Sequence, residues 1–160
     1  MSETSFVAEP GRQEIVITRA YDAPRARVFE VLTDPAMQPR WWGPRDPAIT
    51  VIAMDVRPGG LWRFVGRDAG GNEYGFHGYY HLVEPPSRLV QTFEYEGTPG
   101  HVSLETFTLE DLDGRTLLTD QTVYQSVADR DAMTEADMEM SAKETMDRLA
   151  ELVEGAIGNA

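Results

Sequence analysis

The sequence contains no cysteine among its 160 residues, and only one of its 14 basic residues, Lys143, is a lysine. Without cysteine there are no disulfides, thiolate metal ligands or thiol nucleophiles. A chain without disulfides suits a reducing compartment, so we expect a cytoplasmic protein. No apolar run approaches the ~20 residues that a membrane-spanning helix needs. The N-terminal residues show neither the basic nor the apolar part of a secretory signal peptide.

Positive charge is scarce, because the chain has 27 acidic and only 14 basic residues, which gives a formal net charge of −13. A surface this acidic repels phosphate backbones and anionic lipid headgroups. We therefore expect no nucleic-acid partner and no binding to membrane surfaces. The composition does not decide the oligomeric state, and a homodimer stays open.

Sequence motifs of common catalytic and cofactor sites are also missing. The chain has no GxGxxG, no P-loop GxxxxGK followed by Ser or Thr, no GxSxG and no HExxH. Its three histidines are His77, His81 and His101. In a strand, the four residues from His77 to His81 span roughly 13 Å, which is too far for both to hold one metal ion. We expect no metal site and no cofactor.

The sequence does contain a long series of strand patterns. Glu14–Tyr21 is rich in β-branched residues and predicts the first strand. Turn sequences such as Pro58-Gly59-Gly60 and Asp113-Gly114 separate the later patterns. Six strands joined by short turns predict an antiparallel meander. Its predicted strands are Ile49–Val56, Leu61–Gly66, Tyr74–Val83, Arg88–Tyr95, Val102–Glu110 and Thr116–Tyr124.

Two short helices are predicted between the first strand and the meander. Asp22 is placed to cap the first of them, which begins at Pro24. The second begins at Asp34-Pro35 and ends at Gly43-Pro44.

A long helix is predicted after the meander. Thr134 and Asp137 resemble a capping box at its start, and Gly155 and Gly158 follow its end. Its apolar residues recur at spacings of three and four and form one stripe. The stripe consists of Met138, Ala142, Met146, Leu149, Val153 and Ala156.

These elements predict an α+β fold in the order β-α-α-β6-α. We expect residues 1–12 to form a loose N-terminal tail, because Pro10-Gly11 interrupts the chain before the first strand. Residues 13–158 are expected to form a single domain. The helical stripe must lie across the concave face of a curved antiparallel sheet. A sheet held off by one helix often leaves a cavity between the two.

Short motifs spread from Glu14 to Val153 give the chain a family resemblance. It resembles the START-like superfamily of helix-grip proteins, also called SRPBCC, and within it the bacterial single-domain homologues of the ATPase activator of the 90-kDa heat-shock protein. The resemblance implies a helix-grip fold whose members bind hydrophobic small molecules in a cavity. The motifs are Ala23-Pro24, Val28-Phe29, Asp34-Pro35, Trp41-Trp42-Gly43-Pro44, Asp55-x-Arg57-Pro58-Gly59-Gly60-x-Trp62, Pro85-x-x-Arg88-Leu89 and Asp147-Arg148-Leu149.

Aromatic residues supply the candidate binding site. Trp62 and Phe64 alternate with Arg63 along one predicted strand, so the two rings share a face. Phe76 and Tyr80 share parity on the next strand. We expect these rings to line one cavity beneath the long helix. The predicted ligand-binding residues are Trp41, Trp62, Phe64, Phe76, Tyr80, Phe93 and Met146.

Three titratable residues are candidates for acid–base chemistry. His77, Glu105 and Asp120 lie on three different predicted strands. Their parity stays open, because a register error of one residue exchanges the cavity face for the solvent face. A carboxyl or imidazole that faces the cavity would have its pKa shifted by desolvation.

Three functions remain in competition. The leading hypothesis is a binder of a hydrophobic small molecule, aromatic, polyketide-like or lipid-like, with no evident catalysis. The first alternative is an enzyme similar to polyketide cyclases or dehydratases, which some START-like relatives are, using an acid or base in the cavity. The second alternative is an interaction module that modulates a chaperone ATPase. It rests on the family name alone, so a chaperone partner is disfavoured.

Overall fold

The computed structural model of the protein describes residues 3–154. These residues form one curved antiparallel sheet with four helices. The strands are β1 (Ser5–Val7), β2 (Glu14–Tyr21), β3 (Thr50–Met54), β4 (Leu61–Arg67), β5 (Glu73–Glu84), β6 (Arg88–Tyr95), β7 (Val102–Leu112) and β8 (Arg115–Val123). The helices are α1 (Arg25–Thr33), α2 (Gln38–Trp41), α3 (Val127–Glu135) and α4 (Met138–Val153).

The predicted meander is confirmed. Strands β3 to β8 each pair with the next strand along the chain, and the order across the sheet is β1-β2-β8-β7-β6-β5-β4-β3. β2 has the predicted bounds and pairs with β8 from Glu14 opposite Val123 to Tyr21 opposite Thr116. β1 and β3 remain at the two edges, so the sheet is curved without closing into a barrel.

The core lies between the concave face of this sheet and α4. Ala142, Met146, Leu149 and Val153 of the helical stripe are buried, as their spacing of three and four predicts. The Tyr21 hydroxyl of β2 donates to the Met146 carbonyl at 3.1 Å and ties the helix to the sheet. The predicted α+β helix-grip fold is therefore the observed one.

The N-terminal segment differs from the expected loose tail. β1 pairs with β2 and places Phe6 opposite Ile17. Because opposite residues share a face of the sheet, Phe6 packs against the core beside Ile17. That burial, together with the backbone hydrogen bonds to β2, stabilises a strand where the Pro10-Gly11 signal predicts only an irregular tail.

The helix starts also differ from the predicted caps. Asp22 pairs with Arg115 instead of capping, and α1 begins after Pro24 without a side-chain cap. Before α4 the chain forms the additional helix α3, which Ser126 caps by accepting from the Asp129 N–H at 3.1 Å. Thr134 lies inside α3.

α3 and α4 are separated at Asp137, which has a left-handed backbone with φ of 62°. A left-handed residue cannot continue a right-handed helix. The predicted positions of Ala156, Gly155, Gly158 and the domain end at residue 158 lie outside the described residues.

Candidate functional site

A cavity of about 810 Å³ lies between the concave face of the sheet and the first half of α4. Its floor comes from β2, β5, β7 and β8, and its roof from Met138 to Met146 of α4. The segment after α2 and the hairpin between β4 and β5 form its mouth. This is the space that the helix-over-sheet argument predicts, and its size is that of a small-molecule site.

Arg148 of α4 fixes the corner at which α2 ends. Its guanidinium is buried and donates to the carbonyls of Pro39 at 3.1 Å, of Arg40 at 3.2 Å and of Gly43. These carbonyls flank Trp41 and Trp42. The guanidinium thus supplies donors to the last turn of α2 and holds both indoles over the cavity.

Trp42 is the centre of an aromatic cluster at the β4–β5 side of the cavity. Its ring lies 5.1 Å from that of Phe64 and 5.2 Å from that of Phe76, both edge to face. Trp62 stands behind it at 6.4 Å. Contacts of this kind add to the hydrophobic stabilisation of the rings and hold them in fixed orientations. The cluster therefore forms a rigid wall.

Gly78 allows Trp62 to lie flat across β5. The Trp62 indole N–H donates to the Thr92 carbonyl of β6 at 3.1 Å. A Cβ on Gly78 would lie 1.9 Å from that carbonyl oxygen and 2.7 Å from the indole nitrogen. The indole N–H of Trp62 therefore already has its hydrogen-bond partner within the protein.

The structure brings three of the seven predicted ligand-binding residues, Trp41, Phe76 and Met146, to the cavity lining. The other four are not part of that lining. Trp62, Phe64 and Phe93 stand behind it as members of the aromatic cluster, and Tyr80 is buried on β5. The structure thus does not bring all seven residues to one lining, because Trp42 comes between the cavity and the rings of β4. Ligand binding by these residues stays a prediction.

The structure decides the parity of the three acid–base candidates. Glu105 and Asp120 line the cavity, whereas His77 lies on the opposite face. On that outer face, His77 Nδ1 is 2.9 Å from Glu96 Oε2, and Arg63 donates to both oxygens of Glu96. Two carboxyl groups from neighbouring strands are thus the titratable groups of the cavity floor.

Glu105 of β7 and Asp120 of β8 are neighbouring buried carboxyls on the cavity floor. Burial raises the pKa of both carboxyls, and the negative charge of Glu105 raises the pKa of Asp120 further. The rise is larger at Asp120, so of the two carboxyls Asp120 keeps a proton more readily. Gln91 of β6 donates to Glu105 Oε1 at 3.3 Å and helps to hold the ionised member.

Two buried polar atoms of the lining have no hydrogen-bond partner among the described residues. They are the indole nitrogen of Trp41 and Oδ1 of Asp120. Trp41 is 3% exposed and Asp120 is 6% exposed. A buried donor or acceptor without a partner lowers stability by about 1 to 3 kcal/mol. A ligand that accepts from Trp41 and donates to Asp120 would remove that penalty.

The mouth of the cavity is polar. Asp46 and Arg67 lie there, and Arg67 forms an ion pair with Glu73 at 2.7 Å. Asp68 accepts from the Tyr74 hydroxyl at 2.5 Å, and this hydrogen bond is the largest cause that lowers the pKa of Asp68 to about 2. The rim is therefore wetted and charged, while the walls behind it are aromatic and aliphatic.

Metal binding finds no support in this geometry. Within residues 3–154, no group of three or more His, Asp or Glu side chains is placed to hold an ion. His81 is exposed, and His101 lies 3.0 Å from Asp129 at the start of α3. Glu105 and Asp120 supply two carboxyls to the cavity, fewer than the ligand sets of protein metal sites.

The family profile described as Activator of Hsp90 ATPase homolog 1-like protein matches residues 22–154. The chain belongs to this family. The resemblance to bacterial single-domain START-like proteins is thereby confirmed. Its family and its fold are those of SRPBCC ligand-binding domains. The matched range includes Glu105, Asp120 and all of α4 but begins after β2.

Solved structures of bacterial proteins share the fold over nearly the whole chain. A protein from Rhodobacter sphaeroides is 25% identical with a TM-score of 0.85, covering 96% of this chain and 99% of its own. Ms6760 from Mycobacterium smegmatis is 22% identical with a TM-score of 0.83, covering 94% and 96%. A protein from Arthrobacter aurescens is 23% identical with a TM-score of 0.85, covering 94% and 91%.

The comparison of this family member with curated proteins yields no match. Its helices between residues 3 and 154 include none with the length and hydropathy of a membrane-spanning segment.

The sequence analysis missed several apolar lining residues, among them Trp42, Ile17 and Phe107. The inward position of Phe107 could have been predicted from strand alternation, because Phe107 lies on the same face of β7 as the buried Leu109. The same parity marks Glu105 as facing inward. Trp42 had no such signal, since it follows α2 in an extended conformation that helical spacing does not describe.

Proposed function

We propose that this protein binds a small, largely apolar molecule in the cavity beneath α4, with an aromatic, polyketide-like or lipid-like body. The observation that carries the proposal is the lining itself. About 810 Å³ of space is bounded by Trp41, Trp42, Phe76, Phe107 and Met146. Aromatic and aliphatic walls with a few polar groups are typical of sites that bind apolar ligands.

Two features of the lining support binding over a filled core. Trp41 and Asp120 each present an atom without a partner, so the walls can orient a ligand as well as enclose it. Met138 and Met146 of α4 face the same space, and methionine side chains adapt to ligands of different shape. The absence of cysteine fits binding in a reducing cytoplasm.

The experiment is a titration with a panel of neutral aromatic, polyketide-like and fatty-alcohol compounds. Trp41 and Trp42 line the cavity, so binding should change the intrinsic tryptophan fluorescence and raise the melting temperature. Thr145 is half-buried on the lining, and Thr145→Phe should fill part of the cavity. We expect this variant to bind at least about tenfold more weakly than the wild type, a change of about 1.4 kcal/mol.

Glu144→Phe is the matched control. Glu144 precedes Thr145 on α4 but is exposed and is not part of the lining. The control should bind as the wild type does. If no compound changes the fluorescence or the melting temperature of the wild type, the binding function is wrong. Equal loss of binding in both variants would place the ligand elsewhere.

A second candidate function is acid–base catalysis on the same kind of molecule. The observation that favours it is the pair of carboxyls on the cavity floor, Glu105 and Asp120, whose pKa values burial raises. In a dehydration, Asp120 would protonate a leaving hydroxyl while Glu105 takes a proton from the adjacent carbon, so that water leaves and a double bond forms. The pair gains and loses one proton in this step.

Catalysis is separated from binding by a double variant. Glu105→Gln with Asp120→Asn keeps the size of both side chains and removes their proton transfer. An enzyme would lose turnover, detected as loss of water by mass spectrometry, while a neutral product analogue still binds. If the wild type binds β-hydroxy carbonyl compounds without converting them, the dehydratase function is wrong.

A further inference from the structure

The charges of the cavity are strongly one-sided. Among residues 3–154, its lining includes the carboxyl groups of Asp46, Asp68, Glu105 and Asp120 and a single basic side chain, Arg67 at the mouth. Arg67 is exposed and already paired with Glu73 at 2.7 Å. An anionic ligand would meet only repulsion at the floor, so carboxylate or phosphate ligands are disfavoured there.

The floor offers an acceptor to a donor group. Oδ1 of Asp120 has no partner among the described residues, and the side chain is 94% buried within the lining of the cavity. Its neighbour Glu105 has part of its surface open to the same space. Aromatic rings surround the space, and their faces attract cations. Trp41 adds a separate N–H donor without a partner.

From this geometry we propose that the preferred ligands carry a protonated amine on the apolar body, and that the ammonium binds between Glu105 and Asp120. The proposal rests on the proposed binding function and names its ligand class. The N–H of Trp41 then donates to an oxygen of the ligand, such as a hydroxyl or carbonyl group. The positive charge of the ammonium complements the two carboxyls, and the ring system packs against the aromatic walls.

Binding in this form balances protons. In the free protein, burial and the neighbouring charge of Glu105 raise the pKa of Asp120, so we expect the pair to keep one proton there. When an ammonium binds, the positive charge of the ligand replaces that proton. Asp120 releases it to solvent, and both carboxylates accept hydrogen bonds from the ammonium. A neutral alcohol of the same shape brings no positive charge, so its binding should release no proton from the pair.

Other charged or titratable groups around the pair do not compete for this role. The Arg19 guanidinium of β2 is held by Asp147 of α4 and stacks 5.3 Å from the Tyr21 ring. Burial raises the pKa of the tyrosines that face the pair, so they stay neutral near pH 7. These tyrosines are Tyr21 on β2, Tyr80 on β5 and Tyr124 after β8.

The test compares two probes with one ring system, 2-(1-naphthyl)ethylamine and 2-(1-naphthyl)ethanol, by isothermal titration calorimetry. We expect the amine to bind at least about tenfold more tightly, in line with the coupling energies of close buried charge pairs. Titrations near pH 6 in buffers of different ionisation enthalpy should show proton release with the amine and none with the alcohol.

Variants assign the preference to the pair. In Glu105→Gln with Asp120→Asn, the two probes should bind with nearly equal affinity. Glu110→Gln removes an exposed carboxylate of β7 that is not part of the lining and is the matched control, which should keep the preference. The preference should also persist at about 0.5 M sodium chloride. Salt at this concentration screens the exposed charges that make up most of the net charge of −13, but it screens a buried pair much less.

The outcomes separate this inference from the proposed function. If both probes bind equally to the wild type and Thr145→Phe weakens both, the cavity binds apolar molecules but the amine preference is wrong. If the preference survives in the double variant or vanishes in Glu110→Gln, the pair does not bind the ammonium. If neither probe binds, the inference and the proposed binding function both fail.

Discussion

Replacing Arg148 tests whether its hydrogen bonds to the end of α2 keep Trp41 and Trp42 in position over the cavity. Arg148→Met keeps the apolar stem of the side chain and removes the guanidinium. The guanidinium donates to the carbonyls of Pro39, Arg40 and Gly43. Without it, Trp41 and Trp42 lose the contacts that fix them over the cavity. We expect both stability and ligand binding to fall.

The magnitude follows from the three hydrogen bonds. A hydrogen bond to a charged group contributes about 1.5 to 3 kcal/mol when it is buried. Arg148 is 6% exposed, but Arg40 at the other end of one bond is exposed, so water can reach part of the corner after the substitution. We therefore take the lower end of the range, about 1.5 kcal/mol for each of the three bonds, and expect a total loss of about 4 to 5 kcal/mol. Arg148→Lys should recover only part of this, because an ammonium cannot present the planar fork of a guanidinium.

The assay is urea unfolding followed by tryptophan fluorescence, together with the ligand titration. Arg45→Met is the matched control, since Arg45 lies on the same corner but forms an exposed ion pair with Glu151 at 3.0 Å. Exposed ion pairs contribute little. If Arg148→Met destabilises the protein no more than Arg45→Met does, or leaves binding unchanged, the positioning role of Arg148 is wrong.

Three further substitutions test the packing, the capping and the acid pair. Leu149→Ala removes a side chain that is 0% exposed and should destabilise the protein by about 3 to 5 kcal/mol in urea melts, whereas Met140→Ala at a 61% exposed site should change little. A loss below about 0.5 kcal/mol at Leu149 would contradict the packing of α4. Ser126→Ala should lower stability by about 1 kcal/mol, with helix content by circular dichroism as the check. Asp120→Asn should stabilise the free protein at neutral pH.

The sheet could be predicted from the sequence because its signals are local. Alternation and turn residues place β2 and β6 at their observed bounds. β1 could not be predicted this way, since a strand of three residues forms only because the edge of β2 is free and Phe6 finds the core. The break between α3 and α4 depends on the backbone of Asp137, which the helical spacing does not reveal.

The candidate site could be predicted only in part, for a geometric reason. Strand parity correctly places Trp62 and Phe64 on the concave face, and both are buried. Parity does not say which concave residue is nearest to the empty space. Trp42 covers the rings of β4 because Arg148 turns the end of α2 towards them, and that contact joins residues more than a hundred positions apart.

The parity of Glu105 and Asp120 could have been read from their neighbours. Glu105 alternates with Phe107 and Leu109, and Asp120 alternates with Leu118, all of them buried. A carboxyl in an inward series of apolar residues contradicts the hydrophobic pattern of the strand. Departures of this kind are expected where a fold gives up stability for function.

The pH dependence of Asp120→Asn follows from the direction of the pKa shift. In the unfolded chain an aspartate titrates near its ordinary pKa of about 3.9. In the folded protein, burial and the neighbouring Glu105 raise the pKa of Asp120. Between these two values the folded state binds more protons than the unfolded state, so the free energy of unfolding of the wild type falls as the pH rises. The asparagine of the variant carries no such proton.

The stability advantage of Asp120→Asn should therefore grow between about pH 4.5 and 7.5 and nearly vanish at the lower end. Glu96, whose pKa is lowered to about 2 mainly by Arg63, loses its contribution only below this window. Urea melts of both proteins at the two pH values measure the difference. A variant that is less stable than the wild type at the higher pH would show that Asp120 has a stabilising partner in the free protein. If the variant is more stable than the wild type, the carboxyl of Asp120 lowers the stability of the free protein. A carboxyl whose partner is a ligand is expected to do so.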